Sequence, residues 1–168
     1  MAVSSATELV QAVKAAHSSG RLYCVIAGGS NVVFDDNGFK GLVIQYQNPK
    51  AKIQIEGDKI TVEAGTSLAA LVKAANRAGR EGLESLAGIP GTVGGAVVGN
   101  AGAYGRTISD FLESVEVFNP ANCQHRVLTG KQCKFSYRTS IFKSKKAKDW
   151  LVLSVRFKLP KGDSAELT

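Results

Sequence analysis

The sequence predicts an α+β fold, two small sheets with few helices, and three observations carry that reading. Short period-two strands recur around only two helical stretches. One helix and strand run straight into a glycine turn, Gly28-Gly-Ser-Asn31. Residues 88–105, GIPGTVGGAVVGNAGAYG, then give up side chains almost wholesale in an otherwise ordinary chain. With 168 residues, 44% hydrophobic and 21% charged, the composition suits one domain or two small subdomains sharing a core, and it excludes disorder.

The elements follow in order. Ser5-Ala-Thr-Glu8 has capping-box spacing, and Leu9, Val10, Val13 and Ala16 recur at helical intervals until Gly20. Residues 22–27, LYCVIA, read as a buried strand with Cys24 as a small core residue. Residues 41–45 form another apolar strand. Ile53 and Ile55 alternate with polar neighbours, Gly57-Asp58 turns the chain, and Ile60, Val62 and Ala64 alternate on the returning strand. Residues 67–78 read as a second helix closed by Gly79. Residues 114–118 and 125–128 form a hairpin around Asn119-Pro-Ala-Asn122. Leu151, Leu153, Val155, Phe157 and Leu159 alternate with Val152, Ser154, Arg156 and Lys158, a strand with one apolar face. A composition shift near residues 45–52 marks a boundary between subdomains.

Several classes drop out. No apolar run approaches the roughly 20 residues that span a bilayer, and Met1-Ala-Val-Ser-Ser is no signal segment, so the chain reads as soluble, cytoplasmic and without membrane contact. Cys24, Cys123 and Cys133 with His17 and His125 show no zinc spacing, so no metal is expected. The net charge of +7 is partly crowded into Arg138, Lys143, Lys145, Lys146 and Lys148. That run lacks interleaved aromatic platforms, which argues against nucleic acid and for a solvated loop whose field draws in a phosphorylated small molecule.

Glycine reaches positive φ freely and lets main-chain N–H groups approach a ligand. The run at 88–105 suits an anionic ligand such as a nucleotide diphosphate, held by oriented backbone donors or a helix N-terminus, or else a tight structural crossover. Neither the dinucleotide fingerprint nor the P-loop is present. A third segment, Cys133-Lys-Phe-Ser-Tyr-Arg-Thr-Ser-Ile-Phe-Lys143, mixes a guanidinium, a phenol, hydroxyls and a lysine.

Ala27-Gly-Gly-Ser-Asn-Val-Val33, Leu83-Glu-Ser-Leu-Ala-Gly-Ile-Pro-Gly-Thr-Val-Gly-Gly95 running on to Asn100-Ala-Gly-Ala-Tyr-Gly105, and the 133–143 segment resemble, in this order, the UDP-N-acetylenolpyruvoylglucosamine reductases. These flavoenzymes, also called UDP-N-acetylmuramate dehydrogenases, serve peptidoglycan precursor synthesis. The resemblance runs from about Val3 to Lys161. It implies a vanillyl-alcohol-oxidase-type module in which FAD lies, non-covalently, between residues 1–48 and 49–161, with 162–168 a polar tail.

By the same match Gly28, Gly29, Ser30 and Asn31 meet the pyrophosphate. Ile89, Pro90, Gly91, Gly94, Gly95, Asn100, Gly102 and Ala103 line the rest of the cofactor. For Tyr104, a flavin-side contact and core packing stay equally open; for Cys133, packing is favoured. Arg138 matches the catalytic arginine, and Tyr137 and Lys161 fall to the substrate side. A fixed guanidinium suits the negative charge that develops when hydride reaches an enolpyruvyl group. The substrate is a UDP-sugar and NADPH the co-substrate.

The resemblance also implies a missing N-terminal segment and a missing substrate domain, since no counterpart is found for the family's proton-donating serine or cysteine or its assisting glutamate. The chain is therefore expected to be the FAD-binding part. A non-catalytic module of the same fold, or another flavin oxidoreductase of the superfamily, is the alternative.

Overall fold

The computed structural model describes residues 1–147 and 149–162. Lys148 and most of the polar tail, 163–168, lie outside the described residues.

A short strand, β1 (Ala2–Val3), leads into α1 (Ala6–Ser18). Ser5 caps the helix, its Oγ accepting the N–H of Glu8 at 3.2 Å. The reciprocal half of the expected box is displaced by one residue: the Glu8 carboxylate accepts the N–H of Ser4, at 2.7 Å. Leu9, Val10, Val13 and Ala16 form the buried stripe. The helix is the crossover to β2 (Tyr23–Ile26), and β3 (Leu42–Tyr46) inserts between β1 and β2 to give a parallel sheet ordered β1-β3-β2. At the sheet edge, β2 is half-buried along its length rather than enclosed, and Cys24 with it.

The second sheet is antiparallel. β4 (Gln54–Glu56) and β5 (Lys59–Glu63) pair across Gly57, whose φ of +59° makes the two-residue turn that the sequence announces. α2 (Leu68–Arg77) starts at Ser67, whose Oγ takes the N–H of Ala70, and stops before Gly79 at φ +62°. α3 (Val93–Gly99) lies inside the glycine run, followed by a minimal hairpin of β6 (Gly102–Ala103) and β7 (Arg106–Thr107). β8 (Leu112–Asn119) and β9 (Gln124–Thr129) pair, and β10 (Leu151–Lys158) fills the centre. The order is β4-β5-β10-β8-β9. A register shift between Val152 and Ser154 against β8 buries Val152, placed by simple alternation on the polar face.

Apolar side chains of both sheets join one continuous core. Where the chain crosses between them, the Tyr46 ring lies over Gly65, so close that a Cβ there would sit 2.7 Å from it. The Tyr46 hydroxyl donates to Glu63 Oε2 at 3.1 Å, and Asn48 Nδ2 donates to the same oxygen at 2.8 Å. Burial and the Glu63 carboxylate push the Tyr46 phenol well above its usual range.

Candidate functional site

The two glycine segments face each other. β2 delivers the chain into the 27–31 turn, with Gly29 at φ +76°. Ser30 Oγ reaches across 60 residues of sequence to the carbonyl of Pro90, at 3.5 Å. Beside it Gly91 sits at φ +123°, and a Cβ there would stand 3.3 Å from Ser30 Oγ. Only glycine adopts that backbone without strain. Among the described residues the N–H groups of Gly29, Ser30, Asn31 and Gly91 have no partner inside the protein. Free amides in two small, partly exposed loops that meet at Ser30 and Pro90 suit an anionic group.

The end of α3 contributes less than the sequence suggests. Val93 N–H donates to Thr66 O at 2.9 Å, Gly94 N–H to Ala64 O at 2.8 Å, and Gly95 N–H to Thr92 Oγ1 at 3.3 Å. These first-turn donors are spent on the protein, so the free donors belong to the loops and not to the helix N-terminus. Gly94 is buried against Ala64, whereas Gly95 is exposed. Ile89, Gly102 and Ala103 are half-buried, and Gly28 and Pro90 are exposed. Tyr104 is 94% exposed with φ +51°, which removes core packing as its role.

The third segment forms a compact turn. Cys133 is fully buried, burial lifting its thiol to about 11, and its carbonyl accepts Ile141 N–H at 2.8 Å. Ser136 and Thr139 exchange two backbone hydrogen bonds, of 3.1 and 3.2 Å, leaving Tyr137 and Arg138 at the tip. Both tip side chains are exposed, and Arg138 has φ +54°.

Three side chains fasten the turn. Asn100, the left-handed C-cap of α3, donates from Nδ2 to Ser136 O at 3.0 Å. Ser140 Oγ donates to Val98 O at 2.8 Å. Lys143 Nζ donates to the carbonyl of Arg138 at 2.9 Å, so its ammonium is engaged where a solvated lysine run was expected. Sequence reasoning missed this hold on the turn. Lys161 lies elsewhere in the local network, its backbone bridged to Arg80 beside the exit of α2. Among the described residues no His, Cys, Asp and Glu cluster could hold a metal ion, and no helix is long and apolar enough to cross a membrane.

A sequence model described as an FAD binding domain matches residues 1–127. The chain is 42% identical over 156 residues to a UDP-N-acetylenolpyruvoylglucosamine reductase of Solibacter usitatus (strain Ellin6076), covering 93% of this chain and 48% of that protein. It is 36% identical over 159 residues to the reductase of Halalkalibacterium halodurans, with coverages of 95% and 52%. It superposes on the crystal structure of the UDP-N-acetylenolpyruvylglucosamine reductase from Thermus caldophilus with a TM-score of 0.80 and 35% identity, over 99% of this chain and 57% of that one. The chain thus spans about half the length of the relatives it matches.

Proposed function

The chain belongs to the FAD-binding domain family, and from that premise we propose that it is the flavin-holding part of a reductase acting on UDP-N-acetylglucosamine enolpyruvate in the cytoplasm. The observation that carries the reading is the apposition of the two glycine loops at Ser30 and Pro90, with unpaired N–H groups at Gly29, Ser30, Asn31 and Gly91 around it. Those donors fit the pyrophosphate of FAD, whose two negative charges need backbone hydrogen bonds and no side-chain bulk. Ile89, Pro90, Gly95, Gly102, Ala103 and Tyr104 offer small or flat surface for the rest of the cofactor, and Gly28 lets the first loop approach it. A net charge of +7 favours a cofactor and a substrate that both carry diphosphates.

When bound, FAD supplies the hydride chemistry, with NADPH as the source of electrons. Arg138 supplies what the chain itself must add. Its guanidinium presents paired N–H donors to the carboxylate side of an enolpyruvyl group, where negative charge accumulates. Tyr137 forms the adjoining wall of the substrate pocket. Lys161 is a more distant candidate for a substrate phosphate.

The visible absorption spectrum of the purified chain, before and after incubation with excess FAD and desalting, tests the reading. Retained flavin bands, with the flavin released on acid precipitation, are the expected result. A chain that keeps no flavin after loading sinks the proposal.

A further inference from the structure

We propose that Asn100 and Lys143 are positioning residues for Arg138, holding its turn from two sides so that α3 ties the glycine cradle to the guanidinium. The inference rests on the reading of Arg138 given above, but the hold itself is a property of the chain. Asn100 matches a cofactor-lining position of the family, yet its geometry points away from that role. It is 4% exposed, its Nδ2 is committed to Ser136 O, and its Oδ1 is buried without a hydrogen-bond partner, so the amide is turned into the protein and not onto the loop surface. Its φ of +44° ends α3 and turns the amide toward the 136–139 turn. Asparagine tolerates this left-handed conformation better than most residues, and its amide is the right length to grip a neighbouring carbonyl.

From the other side Lys143 Nζ takes the Arg138 carbonyl at 2.9 Å, on a residue whose own φ is +54°. A left-handed arginine in an exposed turn is unfavourable unless its surroundings fix it. Two side-chain donors on the carbonyls of Ser136 and Arg138, with the Ser136 and Thr139 backbone bonds, provide that fixation. One end of α3 adjoins Gly91 in the cradle; the other end carries Asn100 and Val98, whose carbonyl takes Ser140 Oγ. A displacement of the cradle is therefore passed along α3 to the turn that presents Arg138.

Amide hydrogen exchange of the full chain, free and loaded with FAD, tests this in Asn100→Gly, Lys143→Met and Lys143→Arg variants. Glycine keeps the left-handed backbone and removes only the amide; methionine keeps the stem and removes the ammonium. Each loss of one donor speeds exchange at the Ser136 and Thr139 amides by roughly 5-fold, the size expected for one hydrogen bond on a local opening. Lys143→Arg restores slow exchange. The β8 and β10 amides and flavin retention stay as in the parent chain.

Unchanged exchange at the turn overturns the proposal, and so does equal acceleration throughout the sheet, which marks general destabilisation. Loss of flavin in Asn100→Gly alone also overturns it, because Asn100 is then a cofactor contact. A parent chain that never retains flavin defeats the functional reading instead, while the exchange comparison still decides the hold on the turn.

Discussion

Gly94 and Gly95 are adjacent in sequence and in one short helix, yet alanine at the two positions is expected to act with opposite sign. A Cβ at Gly94 would lie 2.8 Å from Ala64 Cβ and 3.2 Å from Ala64 O. Carbon atoms in contact settle at about 3.5–4.0 Å, so roughly 1 Å must be found. Neither partner yields readily. The Gly94 N–H is bonded to Ala64 O at 2.8 Å, and the Ala64 N–H to Leu153 O at 2.8 Å in the central strand. Overpacking of this kind costs about 1–3 kcal/mol, against a helix-propensity gain of about 1 kcal/mol for replacing glycine.

Gly94→Ala should therefore lose up to about 2 kcal/mol. At Gly95 the nearest atom is Thr92 Oγ1, at an ordinary 3.6 Å, and the position is exposed. Only the backbone gain remains, about 0.5–1 kcal/mol of added stability. At about 2–4 °C per kcal/mol for a chain of this size, calorimetric midpoints of the two variants should separate by up to about 12 °C, with Gly95→Ala the higher. A Gly94→Ala chain that is stabilised as much as the Gly95→Ala chain would refute the claim that α3 is seated on Ala64 without slack. Because Gly95 adjoins the proposed cofactor surface, its alanine variant should also gain stability while losing flavin affinity.

Three further outcomes are expected. The buried Cys133 thiol, raised to about 11 from an ordinary 9.0, stays protonated where the unfolded chain has lost its proton. Its contribution to stability is thus complete below pH 9 and falls as pH rises toward 11, by about 2–3 kcal/mol; urea titrations of Cys133→Ala should lack this alkaline loss. Tyr46→Phe deletes the hydroxyl that joins the two sheets through Glu63 and should lower the urea-derived stability by about 1 kcal/mol, whereas an unchanged midpoint would mean the bond is dispensable. The Glu8 carboxyl is held below its ordinary pKa, first by the Ser4 backbone N–H and then by the Ser4 hydroxyl. Its support of α1 is present above pH 4.5 and fades as acid protonates it; exchange of the Ser4 amide should show that acid-side change in the parent and not in Glu8→Gln.

Local pattern made some elements legible and tertiary contact hid others. β10 was readable because alternating Leu151, Leu153, Val155, Phe157 and Leu159 point into one core. α3 was not, because three of its seven residues are glycine and its intrinsic helix propensity is poor. Its helical state comes from the Thr92 cap, the bonds to Thr66 and Ala64, and burial of Val93 and Val97. β1 is two residues long and exists only because β3 pairs with it. The glycine loops could be recognised from composition, since backbone donors leave a gap in side chains. The fastening of the Arg138 turn could not, because Asn100 and Ser136 are 36 residues apart and nothing local pairs an asparagine with a distant carbonyl.

The place of β10 has a bearing on how the chain acquires its shape. Among the described residues it is the last strand in sequence, and it is the middle strand of its sheet, bonded to β5 on one side and β8 on the other. During synthesis the β4–β5 and β8–β9 hairpins emerge first and cannot meet until residues 151–158 leave the ribosome, so each waits with an unpaired inner edge. Sheet closure is then a late event dominated by distant pairings, which slows folding and leaves apolar edges open to other chains. A nascent chain stalled with residues 151–158 still inside the ribosome should depend on chaperones far more than the same chain carried clear of it on a polar C-terminal linker.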